Sequence, residues 1–132
     1  MNWTPETKLI HNSRGTAMKI WERQAGSGAT IIELEGMLAL GSENQQLEST
    51  VKKLVQDGKK KIIIDLANIG YVDSTGIGVL VGSLGHCKQG GCSIRMTGVQ
   101  DRILRIMKLT RVDQILPLDA SLQEAEQRLG EA

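Results

Sequence analysis

The sequence predicts an α/β domain: a mainly parallel sheet with helices against it and an antiparallel hairpin at its start. The run Ile62-Ile63-Ile64 is continuous and β-branched, the composition of a strand covered on both faces. Apolar residues then recur at Ile77, Leu80, Val81 and Leu84, which is one face of a helix. Strand-like and helix-like segments alternate along the chain in the order β-β-α-β-α-β-α-(β)-α.

Residues 1–15 read as a poorly ordered lead-in that breaks at Ser13-Arg14-Gly15, which leaves residues 16–132 as one domain. Met18 and Ile20 begin a first strand that extends toward Trp21, and Gly26-Ser27-Gly28 makes a turn. Residues 29–34 form the second strand of the hairpin, ended by Gly36. Ser42 followed by Gln45 is a capping-box pattern. It opens a helix with the stripe Leu47, Val51, Leu54 and Val55, closing near Gly58. Lys59-Lys60-Lys61 fits a solvated turn into the Ile62 strand.

Beyond the central helix, Gly90-Gly91 breaks the chain, residues 93–96 form a short strand, and Gly98 closes it. Residues 100–109 form a helix with Ile103, Ile106 and Met107 on one face and Leu104 beside it. Residues 115–118 form a last strand, and Pro117 suits only an edge position. Ser121 with Glu124 caps a final helix that carries Leu122, Ala125 and Leu129. The expected core is Leu47, Val51, Leu54, Ile62, Ile63, Ile64, Leu66, Leu80, Val81 and Leu84.

At 132 residues the chain is one domain by size. The formal net charge is +1, and Trp3, Trp21 and Tyr71 are the only aromatic residues, which argues against nucleic-acid binding. No apolar run reaches the roughly 18 residues that span a bilayer, and the polar, Pro-interrupted opening is unlike a signal peptide. These features predict a soluble, cytoplasmic protein without membrane insertion. Cys87 and Cys92 are the only cysteines, with His86 the nearest other soft ligand. That set holds no four-ligand zinc pattern, so neither metal nor cofactor is expected, and both thiols are read as reduced and mostly structural.

The polar cluster Asp73-Ser74-Thr75 stands where the central helix starts, beside unpaired backbone N–H groups. Several chemistries compete for it. Gly76, Gly78 and Gly82 miss the G-x-G-x-x-G spacing because Val81 stands where the third glycine belongs. The following strand also ends without an acid for a ribose hydroxyl. The phosphate-cradling G-x-x-x-x-G-K-[ST] pattern is absent. No G-x-S-x-G elbow surrounds Ser74, and neither His11 nor His86 is tied to it by a recognisable pattern. Asp65 at a strand end lacks the acid cluster and late lysine of a phospho-accepting aspartate. Catalysis is therefore not expected. What remains is a helix cap, with glycines allowing close packing, or a modification site.

The run from Ile62-Ile63-Ile64-Asp65-Leu66 to Val72-Asp73-Ser74-Thr75-Gly76-Ile77-Gly78-Val79-Leu80 resembles the signature of STAS domains, in particular the bacterial anti-sigma factor antagonists. The resemblance covers about residues 18–129 and includes the opening hairpin and the Gly-Gly break. It implies helices packed mainly on one side of the sheet, and a non-enzymatic protein that binds an anti-sigma factor serine kinase and thereby releases a sigma factor. It also implies phosphorylation at Ser74, with Thr75 as the alternative acceptor, and reversal by a PP2C-type phosphatase. The implied partner surface comprises Asp73, Ser74, Thr75, Gly76, Ile77 and Gly78 with the loop Met37, Leu38, Ala39, Leu40, Gly41 and Ser42. Many such antagonists read G-E-[LI]-D where this chain has Gly36-Met37-Leu38-Ala39, so Met37 and Ala39 replace two carboxylates. The alternative is a STAS scaffold or regulatory subunit of a larger signalling or transport assembly, without a phospho-switch.

Overall fold

A computed structural model describes residues 6–12, 18–40 and 44–130. Its elements are β1 (Lys8–Asn12), β2 (Met18–Gln24), β3 (Thr30–Leu38), α1 (Gln45–Gln56), β4 (Lys61–Val72) and α2 (Ser74–Gln89). They continue with β5 (Ser93–Thr97), α3 (Asp101–Leu109), a 3₁₀ turn (Val112–Gln114), β6 (Leu118–Asp119) and α4 (Leu122–Gly130). The strands form one sheet in sequence order. The pairs β1–β2 and β2–β3 are antiparallel, and β3–β4, β4–β5 and β5–β6 are parallel.

Alternation along β4 sorts the isoleucine run between two faces. Ile62, Ile64 and Leu66 join Leu47, Val51 and Leu54 of α1, Leu80 and Leu84 of α2, and Ile103 and Met107 of α3 in the main core. Ile63 points the other way, onto Ala29, Ile31 and the α4 residues Ala125 and Leu129. Three helices thus cover one face and one covers the other, the mixed architecture expected with helices mainly on one side. At the α4 side, the Asp119 carboxylate has no solvent exposure and is held by Arg95 at 2.7 and 2.8 Å and by Arg128 at 2.9 Å. This ion cluster fastens β5, β6 and α4 together.

Several expectations are corrected. Residues 8–12, within the supposed lead-in, form β1 at the sheet edge; residues 1–5 and 13–15 lie outside the described residues. Strand β3 does not end at Gly36. That glycine adopts φ +116°, open to a residue without Cβ, and the strand passes through a register shift to Leu38. Strand β4 likewise runs on to Val72, through what reads in sequence as a connection. Val81 is 38% exposed, because the buried stripe of α2 runs through Gly76, Val79, Leu80, Ser83, Leu84 and Cys87. Ile106 is also exposed: Ile103 and Met107, one turn apart, already fill the inner face of α3.

The N-cap position of α1 belongs to Asn44, and Ser42 lies outside the described residues. The capping pattern of α4 does form: Glu124 N–H donates to Ser121 Oγ at 3.1 Å, and Ala120 N–H donates to Glu124 Oε2 at 3.2 Å. The last strand is shorter than expected and starts after Pro117, whose carbonyl accepts from Met96 N–H at 2.9 Å.

Candidate functional site

The extended ends of β3 and β4 build the site. Leu38 pairs with Val72 in register, so the chain leaving β3 lies against the turn that starts α2. Asp73 N–H donates to Leu38 O at 3.1 Å. The Asp73 carboxylate then spans both segments. One oxygen accepts Gly76 N–H at 3.0 Å as the N-cap of α2, and the other accepts Leu40 N–H at 2.9 Å. These amide donors, Leu40 first and Gly76 second, hold the Asp73 carboxyl below its ordinary value. On the far side of the same loop, the Asn44 side chain donates to Ala39 O at 3.0 Å.

Gly76 makes the close approach possible. A Cβ there would lie 1.9 Å from Leu38 O, so only glycine lets the helix start touch the β3 backbone. Gly78 differs: a Cβ on it would meet nothing within 4 Å.

The expected site residues thus separate by role. Ser74 and Thr75 are exposed in the first turn of α2, and among the described residues neither hydroxyl has a hydrogen-bond partner. Gly78 is exposed, Met37, Asp73 and Ile77 are half-buried, and Leu40 is 81% exposed. Leu38, Ala39 and Gly76 are buried; they shape the surface from beneath. Gly41 and Ser42 lie outside the described residues.

Helical spacing lines up Ser74, Ile77, Gly78 and Val81 on the outward side of α2, with Leu40 tethered at its start. The result is an apolar surface with a free hydroxyl in it. Sequence reasoning missed Val81 and Asn44. Val81 fits an apolar helical period either way, and the strong Ser42–Gln45 cap pattern drew attention from Asn44. Among the described residues there is no cluster of metal-ligating side chains.

The STAS-domain family profile matches residues 21–125. The chain belongs to the STAS-domain family. An anti-sigma-B factor antagonist of Staphylococcus aureus (strain NCTC 8325 / PS 47) is 35% identical over 71 residues, covering 54% of this chain and 66% of that protein. The chain therefore spans just under two thirds of the length of the curated relatives that it matches. An anti-sigma factor antagonist from Mycobacterium paratuberculosis has the same STAS fold, with a TM-score of 0.73 at 18% identity, covering 86% of this chain and 95% of that one. The phosphorylated form of the Bacillus cell-fate determinant SpoIIAA aligns with a TM-score of 0.60 at 15% identity, covering 83% and 97%. Within this STAS domain, the signature aspartate is a structural clamp, and the serine after it is free.

Proposed function

We propose that this chain is an anti-sigma factor antagonist whose domain includes β1 (Lys8–Asn12), with no catalytic activity of its own. Unmodified, it binds an anti-sigma serine kinase through the exposed side of the α2 start and the adjoining Leu40 loop, which releases a sigma factor. The kinase then phosphorylates Ser74, and a PP2C-type phosphatase restores the binding form. The protein works in the cytoplasm, and among its described residues no helix is long and apolar enough to cross a membrane.

The observation that carries this reading is the exposed, unpartnered Ser74 hydroxyl on a helix start that Asp73 holds fixed. A kinase can reach it without unfolding anything. A phosphate there adds about −1.5 to −2 charge. The helix N-terminus favours that charge in the free protein. In a complex the dianion must be desolvated amid Leu40, Ile77 and Val81, so the cost falls on binding. Met37 and Ala39 leave this surface less acidic than the usual antagonist pattern, and the preferred kinase is accordingly one with an apolar rather than a strongly basic counter-surface.

Affinity for the proposed anti-sigma kinase tests the reading. Ser74→Ala retains binding, and Ser74→Asp folds normally but binds more weakly, less so than the phosphoprotein because it carries one charge and no tetrahedral bulk. Equal affinity of all three forms would contradict it.

A further inference from the structure

We propose that Cys87 and Cys92 are an oxidation-sensitive pair that closes into an intramolecular disulfide. The chain has two cysteines in 132 residues, and the fold brings both to one place. Cys87 lies in the last turn of α2 and Cys92 just before β5, with the Gly90-Gly91 turn between them. Gly91 takes φ +72°, which lets the chain reverse within this short span.

The backbone fixes the separation. Cys92 N–H donates to Cys87 O at 2.8 Å. With standard bond lengths, the two Cα atoms then lie no more than about 6.7 Å apart. Disulfides form at Cα separations of roughly 4.4–6.8 Å, so a bridge needs side-chain rotation and little backbone movement.

The two thiols are not equivalent. Cys87 has no solvent exposure, whereas Cys92 lines a cavity of about 410 Å³ together with Lys88 and Ser93. The neighbouring Cys87 thiol first, and the Lys60 ammonium with it, draw the Cys92 thiol below its ordinary value against the cost of burial; its Sγ lies 3.4 Å from Ser93 O. Cys87 is pushed up, first by the neighbouring Cys92 sulfur and then by its own burial. Cys92 is thus the attacking thiolate and Cys87 the resolving thiol.

A peroxide is the oxidant. The Cys92 thiolate attacks one peroxide oxygen, breaks the O–O bond and becomes a sulfenic acid, and the departing hydroxide takes a proton to leave as water. Cys87 sulfur then attacks the Cys92 sulfur. The S–O bond breaks, the Cys87 proton goes to the departing oxygen, and a second water is released. Two electrons leave the sulfur pair and reduce one peroxide. The bridge joins the C-terminal end of α2 to β5, at the opposite end of the helix from Ser74, and does not depend on the role proposed for that serine.

Hydrogen peroxide treatment of the folded protein, followed by alkylation and peptide mass spectrometry, tests this. The expected result is loss of both alkylatable thiols and a peptide pair joining Cys87 to Cys92, lighter by two hydrogens and restored by dithiothreitol. The Cys87→Ser variant should halt at a dimedone-reactive Cys92, and Cys92→Ser should form no bridge. Wild-type protein that keeps both thiols under conditions that oxidise glutathione, or that bridges only between chains, would overturn the proposal.

Discussion

The two ends of α2 are built on opposite rules. At the N-terminal end the backbone is clamped against β3 and its loop, while the side chains of Ser74 and Thr75 face outward and Gly78 borders open space. At the C-terminal end the side chains of Cys87 and Cys92 turn inward, and the chain turns away through two glycines. One end fixes its backbone so that side chains stay available. The other uses its side chains for packing. Glycine serves both ends, but a missing Cβ faces backbone at one and a side chain at the other.

That difference predicts unequal costs. At Gly76 an added methyl would meet the Leu38 carbonyl at 1.9 Å, and neither strand nor helix can yield without losing hydrogen bonds. Gly76→Ala should destabilise the domain by about 3 kcal/mol or more, read from urea unfolding. At Gly90 the methyl would meet Val55 Cγ1 at 2.0 Å, the end of a side chain. Gly90→Ala should cost less, about 1–2 kcal/mol, because Val55 can shift. Equal costs would erase the contrast between the two ends.

The clamp itself has a pH signature. Asp73 is held below its ordinary value by the Leu40 and Gly76 amides, so the stability it confers is fully present above the ordinary aspartate value. It is lost as pH falls through the lowered value. The stability difference between wild type and Asp73→Ala should vanish over that acid window and stay constant above it. A difference that grows on acidification would show that Asp73 is not acting as the carboxylate clamp.

The smallest expected effect on folding sharpens the comparison most. Gly78 borders open space, so Gly78→Ala should leave stability unchanged or raise it by up to about 1 kcal/mol, the helix-propensity gain. The same variant should weaken binding to the proposed anti-sigma kinase. Retained affinity would return Gly78 to a purely structural role.

Much of this was legible in sequence because the signals were local and strong. Ile62-Ile63-Ile64, the Asp73 cap and the Gly90-Gly91 break each depend on residues within one or two turns. The less legible features depend on tertiary neighbours. The two-faced burial of the isoleucine run was readable, but only α4 packing reveals that Ile63 serves a separate small core. Strand β1 is short and at an edge, and its two apolar residues, Leu9 and Ile10, are adjacent and both exposed, which leaves no hydrophobic alternation to detect. The extensions of β3 to Leu38 and β4 to Val72 need each other, since each ladder supplies the partners that the other lacks. At the site, the position of Ser74 was readable from its motif. The second task of Asp73, tethering Leu40 across 33 residues, was not.

The most direct test of the central claim is the site of phosphate transfer. The purified chain, incubated with the anti-sigma kinase proposed as its partner and ATP, should yield a single phosphorylated residue by mass spectrometry: Ser74, the free hydroxyl on the clamped helix start. Phosphate on Thr75, or on neither residue, would contradict the account.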